Sequence, residues 1–166
     1  MVMPYNEVSR KAGAVRRNIT GISQKERCGM SREELRDKLI EEAWEGLKNS
    51  YSPYSKFPVG AAAMGADGTV YRGCNIENVS YGLTVCGERT AIFNMVAHGC
   101  KTFTALAVVS KGNGDSAPCG ACRQVLGEFC ESLDTPIYIV GGDGKVLETT
   151  VGECMPYPFL KFEPQE

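Results

Sequence analysis

Histidine, excess positive charge and long apolar segments are all scarce in this sequence. The one histidine, His98, excludes a metal site built from several imidazoles, and a formal net charge of −2 gives no strongly basic surface for nucleic acid. No stretch approaches the roughly 20 consecutive apolar residues that span a membrane, and the first residues lack the apolar core of a secretory signal. We therefore expect a cytoplasmic protein without nucleic-acid or membrane partners.

The chain has 166 residues, 43% of them apolar and 23% charged, which is enough for one domain with a sizeable core. Residues 1–30 are basic and lack regular apolar spacing, so we expect a flexible N-terminal extension followed by a single domain over residues 31–166. An arginine-rich start is also typical of mitochondrial presequences, and mitochondrial targeting stays an alternative. Without a secretory signal, the eight cysteines are expected to be thiols or metal ligands rather than disulfides.

Apolar periodicity predicts an alternation of helices and strands. Ser31 and Glu34 form a capping-box pattern before the first helix, and Asp67-Gly68 is a tight-turn pair between the first two strands. The predicted elements are helices over residues 32–49, from 86 to 99 and from 119 onward, and strands at 58–64, 69–75, 104–110, 137–140 and 145–149. This order predicts an α/β fold in which one five-stranded sheet is covered by helices on both faces.

Two cysteine clusters carry the strongest chemical signal. One is Cys86-Gly-Glu88 and the other is Pro-Cys119-Gly-Ala-Cys122, and each lies at a predicted helix start. The free N–H groups and positive partial charge of a helix N-terminus stabilise the thiolate, which is the form that binds metal. Three thiolates leave one corner of a zinc tetrahedron open for water, and an open corner is typical of a catalytic site.

Three simpler interpretations compete with a catalytic zinc site. Cys119 and Cys122 alone have the spacing of a redox dithiol. A structural zinc site would need a fourth thiolate, for which four single cysteines are available: Cys74, Cys100, Cys130 and Cys154. Single cysteines are more often buried apolar residues, and a lone glutamate such as Glu88 more often bonds to the first helical turn.

The order of these motifs resembles the zinc deaminases, in which Cys-x-Glu is followed some 30 residues later by Pro-Cys-x-x-Cys. Four runs resemble the small homotetrameric cytidine deaminases more specifically. They are Tyr51-Ser-Pro-Tyr-Ser-Lys-Phe-Pro-Val-Gly-Ala61, Gly73-Cys-Asn-Ile-Glu-Asn78, Cys86-Gly-Glu-Arg-Thr-Ala-Ile92 and Pro118-Cys-Gly-Ala-Cys-Arg-Gln-Val-Leu126. The resemblance covers about residues 32–160 and implies a three-layer α/β/α fold with a mixed five-stranded sheet.

The resemblance implies a zinc-dependent hydrolase that deaminates cytidine and 2'-deoxycytidine, with one zinc ion per subunit of a homotetramer. Cys86, Cys119 and Cys122 would bind the metal, and Glu88 would carry protons between a zinc-activated water and the pyrimidine. Arg89 matches the arginine that hydrogen-bonds the ligand sulfurs and offsets their negative charge.

Four further residues match the substrate-binding positions of that family. Phe57, Asn75 and Glu77 correspond to nucleoside-binding residues, and Phe159 to an aromatic residue that reaches a neighbouring subunit's base pocket. Phe162 is an alternative for that last role. In the simpler interpretation Phe57 is a core residue, and Asn75 and Glu77 are turn and surface residues.

Two departures from the family pattern and two rival functions remain. Gly87 replaces the usual alanine, and Gly82 stands where a proline is common, so the loop before the zinc helix is expected to be looser. A polynucleotide-editing deaminase would have histidine as its first ligand and a basic groove, which Cys86 and the acidic balance disfavour. A non-enzymatic zinc or redox module would have a filled fourth ligand or a reversible Cys119–Cys122 disulfide.

Overall fold

The computed structural model describes residues 29–112 and 116–160. Its elements in chain order are α1 (Arg32–Leu47), β1 (Val59–Gly65), β2 (Val70–Cys74), a 3-10 turn (Tyr81–Leu83), α2 (Gly87–Ala97), β3 (Phe103–Ser110), α3 (Gly120–Phe129), β4 (Pro136–Val140), β5 (Val146–Thr150) and α4 (Val151–Cys154). The three long helices and five strands lie within two residues of their predicted bounds. The sequence did not predict the 3-10 turn or the four-residue α4. Within the described ranges, no helix has the length and apolarity needed to cross a membrane.

Helix α1 starts as the capping pattern predicts. The Ser31 hydroxyl accepts a hydrogen bond from the Glu34 N–H (3.1 Å), and the Glu34 carboxylate accepts one from the Ser31 N–H (2.6 Å). Its buried side chains repeat at helical spacing, at Leu35, Leu39 and Ala43. This apolar stripe is the face that packs on the sheet.

The sheet has the strand order β2-β1-β3-β4-β5. Neighbouring strands are antiparallel except β3 and β4, which are parallel, so the sheet is mixed. The predicted hairpin joins β1 to β2, and Gly68 adopts a φ of 83° at its turn. Strand β3 lies at the centre, and all eight of its residues are buried.

Alternate residues of the strands pack against helices on opposite faces. On one face Ala62 and Ala107 contact the α1 side chains, while on the other Ala61 and Leu106 join residues of α2 and α3. The predicted three-layer arrangement is therefore confirmed. The boundary at residue 31 stays a prediction, because residues 1–28 lie outside the described ranges.

Two glycines let the helices approach the sheet closely. A Cβ added at Gly60 of β1 would lie 2.1 Å from the carbonyl oxygen of Ala43 in α1. A Cβ added at Gly73 of β2 would lie 2.3 Å from the backbone nitrogen of Ala91 in α2. The contact at Gly73 holds the first turns of α2, and with them the residues that follow Cys86, against the end of β2.

Candidate metal centre

Three cysteine side chains converge where α2 and α3 begin. Cys86 and Cys119 are the N-cap residues of these helices, and Cys122 lies in the first turn of α3. The Sγ of Cys119 is 3.8 Å from that of Cys86 and 3.5 Å from that of Cys122, and all three sulfurs lie within 4.8 Å of one another. In the described part of the chain, no fourth histidine, cysteine or carboxylate ligand joins this group. The single cysteines considered for a structural site therefore lie elsewhere.

The thiols lie in surroundings that favour negative charge. Hydrogen bonding with Cys122 lowers the pKa of the Cys86 thiol to about 5, and Arg89 and Cys119 add to this effect against the opposing effect of burial. The same hydrogen bond with Cys86, together with burial, raises the pKa of Cys122. One negative charge thus forms readily at Cys86, and a bound cation would favour loss of the Cys122 proton as well.

Arg89 lies one helical turn after Cys86 and faces the sulfurs. Its Nη2 is 3.1 Å from the carbonyl oxygen of Thr84, to which it donates, and 3.7 Å from the Sγ of Cys86. Its Nε is buried without a hydrogen-bond partner in the structure. The guanidinium is therefore held beside the sulfur cluster, where it offsets part of the charge of three thiolates.

This donor set fits a zinc ion. Three sulfur ligands at two helix N-termini, with a guanidinium beside them, match the soft ligands and charge compensation that zinc prefers. Cys119 and Cys122 have the spacing of a redox dithiol, but Cys86 lies almost as close to Cys119 as Cys122 does. The cluster is thus a group of three thiols, which a two-cysteine redox site does not need.

Glu88 is the buried carboxyl of this site. It lies in the first turn of α2, its side chain is only 4% exposed, and it hydrogen-bonds with the Cys122 thiol. Burial raises its pKa to about 7, and the charge of Cys86 acts in the same direction. A carboxyl with this pKa can both take and give a proton near neutral pH.

The amide of Asn75 organises the loop before β1. Its Oδ1 accepts hydrogen bonds from the Ser50 hydroxyl and from the Val59 N–H (2.9 Å), and its Nδ2 donates to the Phe57 carbonyl oxygen (2.8 Å). The side chain is buried. One N–H of the amide is left for a further acceptor.

Glu77 is also buried, two residues further along. Its Oε2 accepts hydrogen bonds from the backbone N–H groups of Tyr54 (2.8 Å) and Ser55 (3.2 Å). Burial raises the pKa of this carboxyl, but these bonds, the Ser55 side chain and the charge of Lys56 outweigh burial, so the net pKa lies below its ordinary value. Glu77 is thus an anionic acceptor at neutral pH.

Phe57 stands on the same loop with its ring partly exposed, at 40%. A Cβ added at Gly112 would lie 1.9 Å from the Cε2 of Phe57, so the ring lies directly over the backbone of Gly112. The preceding residue, Lys56, has a φ of 56°, an unusual conformation for a side chain of this kind. The ring is therefore not a core side chain. The simpler interpretation from sequence, in which Phe57 is a core residue, is wrong.

Comparison with known proteins identifies the family. Residues 33–134 match the family described as cytidine and deoxycytidylate deaminase zinc-binding region. The chain belongs to this family. It is 50% identical over 125 residues to a cytidine deaminase of Sporosarcina psychrophila, an alignment that spans 75% of this chain and 91% of that protein. It is 48% identical over 124 residues to the cytidine deaminase of Halalkalibacterium halodurans, spanning 75% and 93% of the two chains.

The fold agrees with solved structures of this deaminase family. The crystal structure of cytidine deaminase from Burkholderia pseudomallei aligns with a TM-score of 0.71 and 42% identity, over 78% of this chain and 100% of that chain. The cytidine deaminase structure from Mycobacterium tuberculosis aligns with a TM-score of 0.65 and 39% identity, over 74% and 95%. The resemblance stated from the sequence motifs is thereby confirmed, as is the zinc-binding character of the family.

Phe159 does not lie in the core of this deaminase domain. Its side chain is 66% exposed, and its carbonyl oxygen accepts a hydrogen bond from the Gln124 side chain of α3 (2.7 Å). The alternative residue, Phe162, lies outside the described ranges. An exposed ring attached in this way is available to a second subunit, which keeps the predicted role in a neighbouring pocket open.

Sequence reasoning missed several residues that contact the candidate site residues. Ser50 hydrogen-bonds Asn75, Gly112 accommodates the Phe57 ring, and the Thr84 carbonyl anchors Arg89. Each of these contacts joins segments separated in the sequence or uses a backbone atom. No local pattern identifies such partners.

Proposed function

We propose that this protein is a zinc-dependent cytidine deaminase, which hydrolyses cytidine and 2'-deoxycytidine to uridine and 2'-deoxyuridine with release of ammonia. The observation that carries the proposal is the buried Glu88 carboxyl, with a pKa near neutrality, directly beside a cluster of three thiols. Relatives about 50% identical to this chain are cytidine deaminases, which supports the same substrate class and a role in pyrimidine salvage.

Cys86, Cys119 and Cys122 would hold one zinc ion per subunit. When bound, zinc supplies a water of lowered pKa for attack on C4 of the pyrimidine. Arg89 would keep the thiolates in place and offset their charge through the contacts described above.

Glu88 is the proposed proton carrier. Its carboxylate takes one proton from the attacking water and gives it to N3 of the pyrimidine. After the addition, the carboxylate takes the second proton from the new C4 hydroxyl and gives it to the amino group, which leaves as ammonia while C4 becomes a carbonyl. The protein dielectric around the buried side chain raises the energy of the charged form, so each return to the neutral acid is favourable. The products are the uracil nucleoside and ammonia.

Asn75, Glu77 and Phe57 are the proposed nucleoside-binding residues. The one free N–H of Asn75 can donate to a sugar oxygen, and the anionic Glu77 can accept from a sugar hydroxyl. The partly exposed ring of Phe57 offers an apolar surface beside them. A substrate without the sugar would lose the further hydrogen bonds that Asn75 and Glu77 can make beyond those to the protein, and a phosphate would be repelled by Glu77.

A homotetramer located in the cytoplasm, with no nucleic-acid partner, completes the proposal. Several large apolar side chains are more than half exposed in the single chain: Tyr51, Val79, Tyr81, Leu83, Tyr157 and Phe159. Burial of such side chains between subunits is favourable, which supports assembly. The net charge of −2 supports a small-molecule substrate rather than a polynucleotide.

The test is ammonia release from a panel of substrates, with zinc per subunit measured on the same protein. We expect turnover of cytidine and deoxycytidine, and poor turnover of cytosine, cytidine phosphates and single-stranded DNA. Comparable efficiency on DNA would favour the polynucleotide-editing alternative. Bound zinc without any turnover would favour a non-enzymatic module.

A further inference from the structure

The orientation of the Asn75 amide is determined by backbone groups. The Val59 N–H can only donate, so the atom facing it is the amide oxygen, and the Phe57 carbonyl can only accept, so the atom facing it is the amide nitrogen. The Ser50 hydroxyl contacts the oxygen side, and it must therefore donate its proton to Oδ1. Ser50 and Val59 together fill both lone pairs of that oxygen.

Ser50 is itself placed by the end of α1. Its N–H donates to the carbonyl oxygen of Leu47 in the last turn of α1 (2.9 Å), and the next residue, Tyr51, donates its N–H to the Asn75 carbonyl oxygen (3.0 Å). The backbone of residue 75 is thus tied to the segment after α1, while its side chain is tied to the segment before β1. Ser50 joins the rigid helix end to this amide.

The loop that depends on Asn75 holds an unfavourable conformation. Lys56 has a φ of 56°, which costs energy for a residue other than glycine. The Asn75 amide bridges the carbonyl oxygen of Phe57 and the N–H of Val59, two residues further along, so it compensates for this strain. A loosened amide would let Phe57 leave the position over Gly112.

We propose that Ser50 is a positioning residue of the nucleoside site. It acts through Asn75: its hydroxyl holds the amide so that the loop keeps Phe57 in place and one amide N–H stays aimed away from the loop, available to the sugar. The inference rests on the proposed function, because it assigns Ser50 to the binding of the same nucleoside. It does not place Ser50 in contact with substrate.

The experiment compares Ser50→Ala with Ser50→Thr in the zinc-loaded enzyme, using cytidine as substrate. Ser50→Ala should raise KM about 3- to 10-fold, the effect of one lost hydrogen bond, with kcat within about twofold and zinc content unchanged. Ser50→Thr keeps the hydroxyl and should restore KM. An unchanged KM in Ser50→Ala, or equal losses in Ser50→Ala and Ser50→Thr, would overturn the proposal.

Ser52→Ala is the matched control. The Ser50 hydroxyl also lies 3.3 Å from the Ser52 hydroxyl, so this variant removes that contact and leaves the bond to Asn75. We expect its KM to equal that of the wild type. A rise in KM as large as that of Ser50→Ala would assign the effect to the serine pair and would contradict action through Asn75.

A comparison of single and double variants tests whether Ser50 affects KM through Asn75. If Ser50 acts through Asn75, adding Ser50→Ala to Asn75→Ala should change KM no further. Independent, multiplying effects would overturn the proposal. A crystal structure of Ser50→Ala separates this inference from the proposed function: even if the wild type does not deaminate cytidine, an unmoved Asn75 amide and Phe57 ring would still overturn the role of Ser50.

Discussion

Glu88 lies two residues after Cys86, yet its carboxyl is not one of the three clustered ligand atoms. This separation of metal binding from proton transfer can be measured. We predict that Glu88→Ala keeps its zinc but loses about 10²- to 10⁴-fold in kcat, which is the usual value of general acid–base catalysis. Cys86→Ala should lose zinc and activity together. Zinc per subunit and cytidine turnover, measured on both variants, decide between these outcomes; loss of zinc from Glu88→Ala would make the carboxyl a metal ligand.

The raised pKa of Glu88 predicts a pH effect on the zinc-free protein. Below about pH 4.5 the carboxyl is protonated in both the folded and the unfolded state and has no effect. Between pH 4.5 and about pH 7 the unfolded state ionises while the folded state keeps its proton, so the free energy of unfolding falls as pH rises. The total loss is about 3 kcal/mol, since each pKa unit corresponds to about 1.4 kcal/mol.

Glu88→Gln isolates this contribution, because the amide does not titrate. The lowered pKa of Cys86 adds a slope of opposite sign, but that slope is common to both proteins. The difference in unfolding free energy between Glu88→Gln and the wild type should therefore grow through this pH interval and then stay level. Urea unfolding of both proteins after zinc removal provides the measurement, and a difference independent of pH would show that the carboxyl is not held in its neutral form.

At the residue scale, the sequence predicted the chemically active side chains better than the residues that hold other side chains in place. Cys86, Cys119, Cys122 and Glu88 lie in short motifs, and a motif identifies the groups that must meet. Ser50 has no such signal, because its contact with Asn75 depends on where α1 ends relative to β2. Such a contact is a property of tertiary packing and cannot be seen in either local segment.

At the scale of elements, the approach of α1 to the sheet depends on Gly60. A methyl group at this position would meet two backbone atoms of α1 and the Cβ of Leu47, none of which can move without the helix, so the helix itself would have to shift. We predict that Gly60→Ala lowers the free energy of unfolding by about 3 kcal/mol or more, the upper end for overpacking. Gly82→Ala is the control: an added Cβ there has no neighbour within 4 Å, and its effect should stay within about 0.5 kcal/mol. Chemical denaturation measures both, and equal effects would show that α1 moves easily.

The elements themselves were predicted because their patterns are strong. The capping pair Ser31 and Glu34 fixes the start of α1, and Gly99, with a φ of 94°, follows His98, the C-cap residue of α2. The His98 Nδ1 lies 2.8 Å from the Asn94 carbonyl oxygen, so the ring contacts the last turn of α2. The short α4 was missed because four residues carry no periodicity, although Thr150 and Glu153 form a second capping box. Periodicity also does not give the order or the relative direction of the strands in the sheet. The parallel pairing of β3 with β4 is therefore seen only in the structure.

At the scale of the whole molecule, the exposed Phe159 ring leads to a prediction about assembly. If this ring completes a neighbour's pocket, the protein is a homotetramer and Phe159→Ala loses about tenfold in activity, the value of a lost aromatic contact. Mixing the two variants tests whether the ring acts on a neighbouring chain. Subunits of Glu88→Ala supply the Phe159 ring, and subunits of Phe159→Ala supply the Glu88 carboxyl. The mixture should be more active than either variant alone. A fully active monomer in sedimentation, or no gain on mixing, would place Phe159 outside any shared site.

Strand β3 is paired on both sides, covered on both faces and buried along its whole length. Its amide hydrogens therefore have no local route to solvent, and their exchange with deuterium should require unfolding of the entire domain. The outer strands β2 and β5, each bonded along one edge only, should exchange through smaller openings. The slowest-exchanging amides of β3 would then report the global stability of the protein. The effect of a substitution at the metal centre on that stability could therefore be measured from the exchange rates of β3.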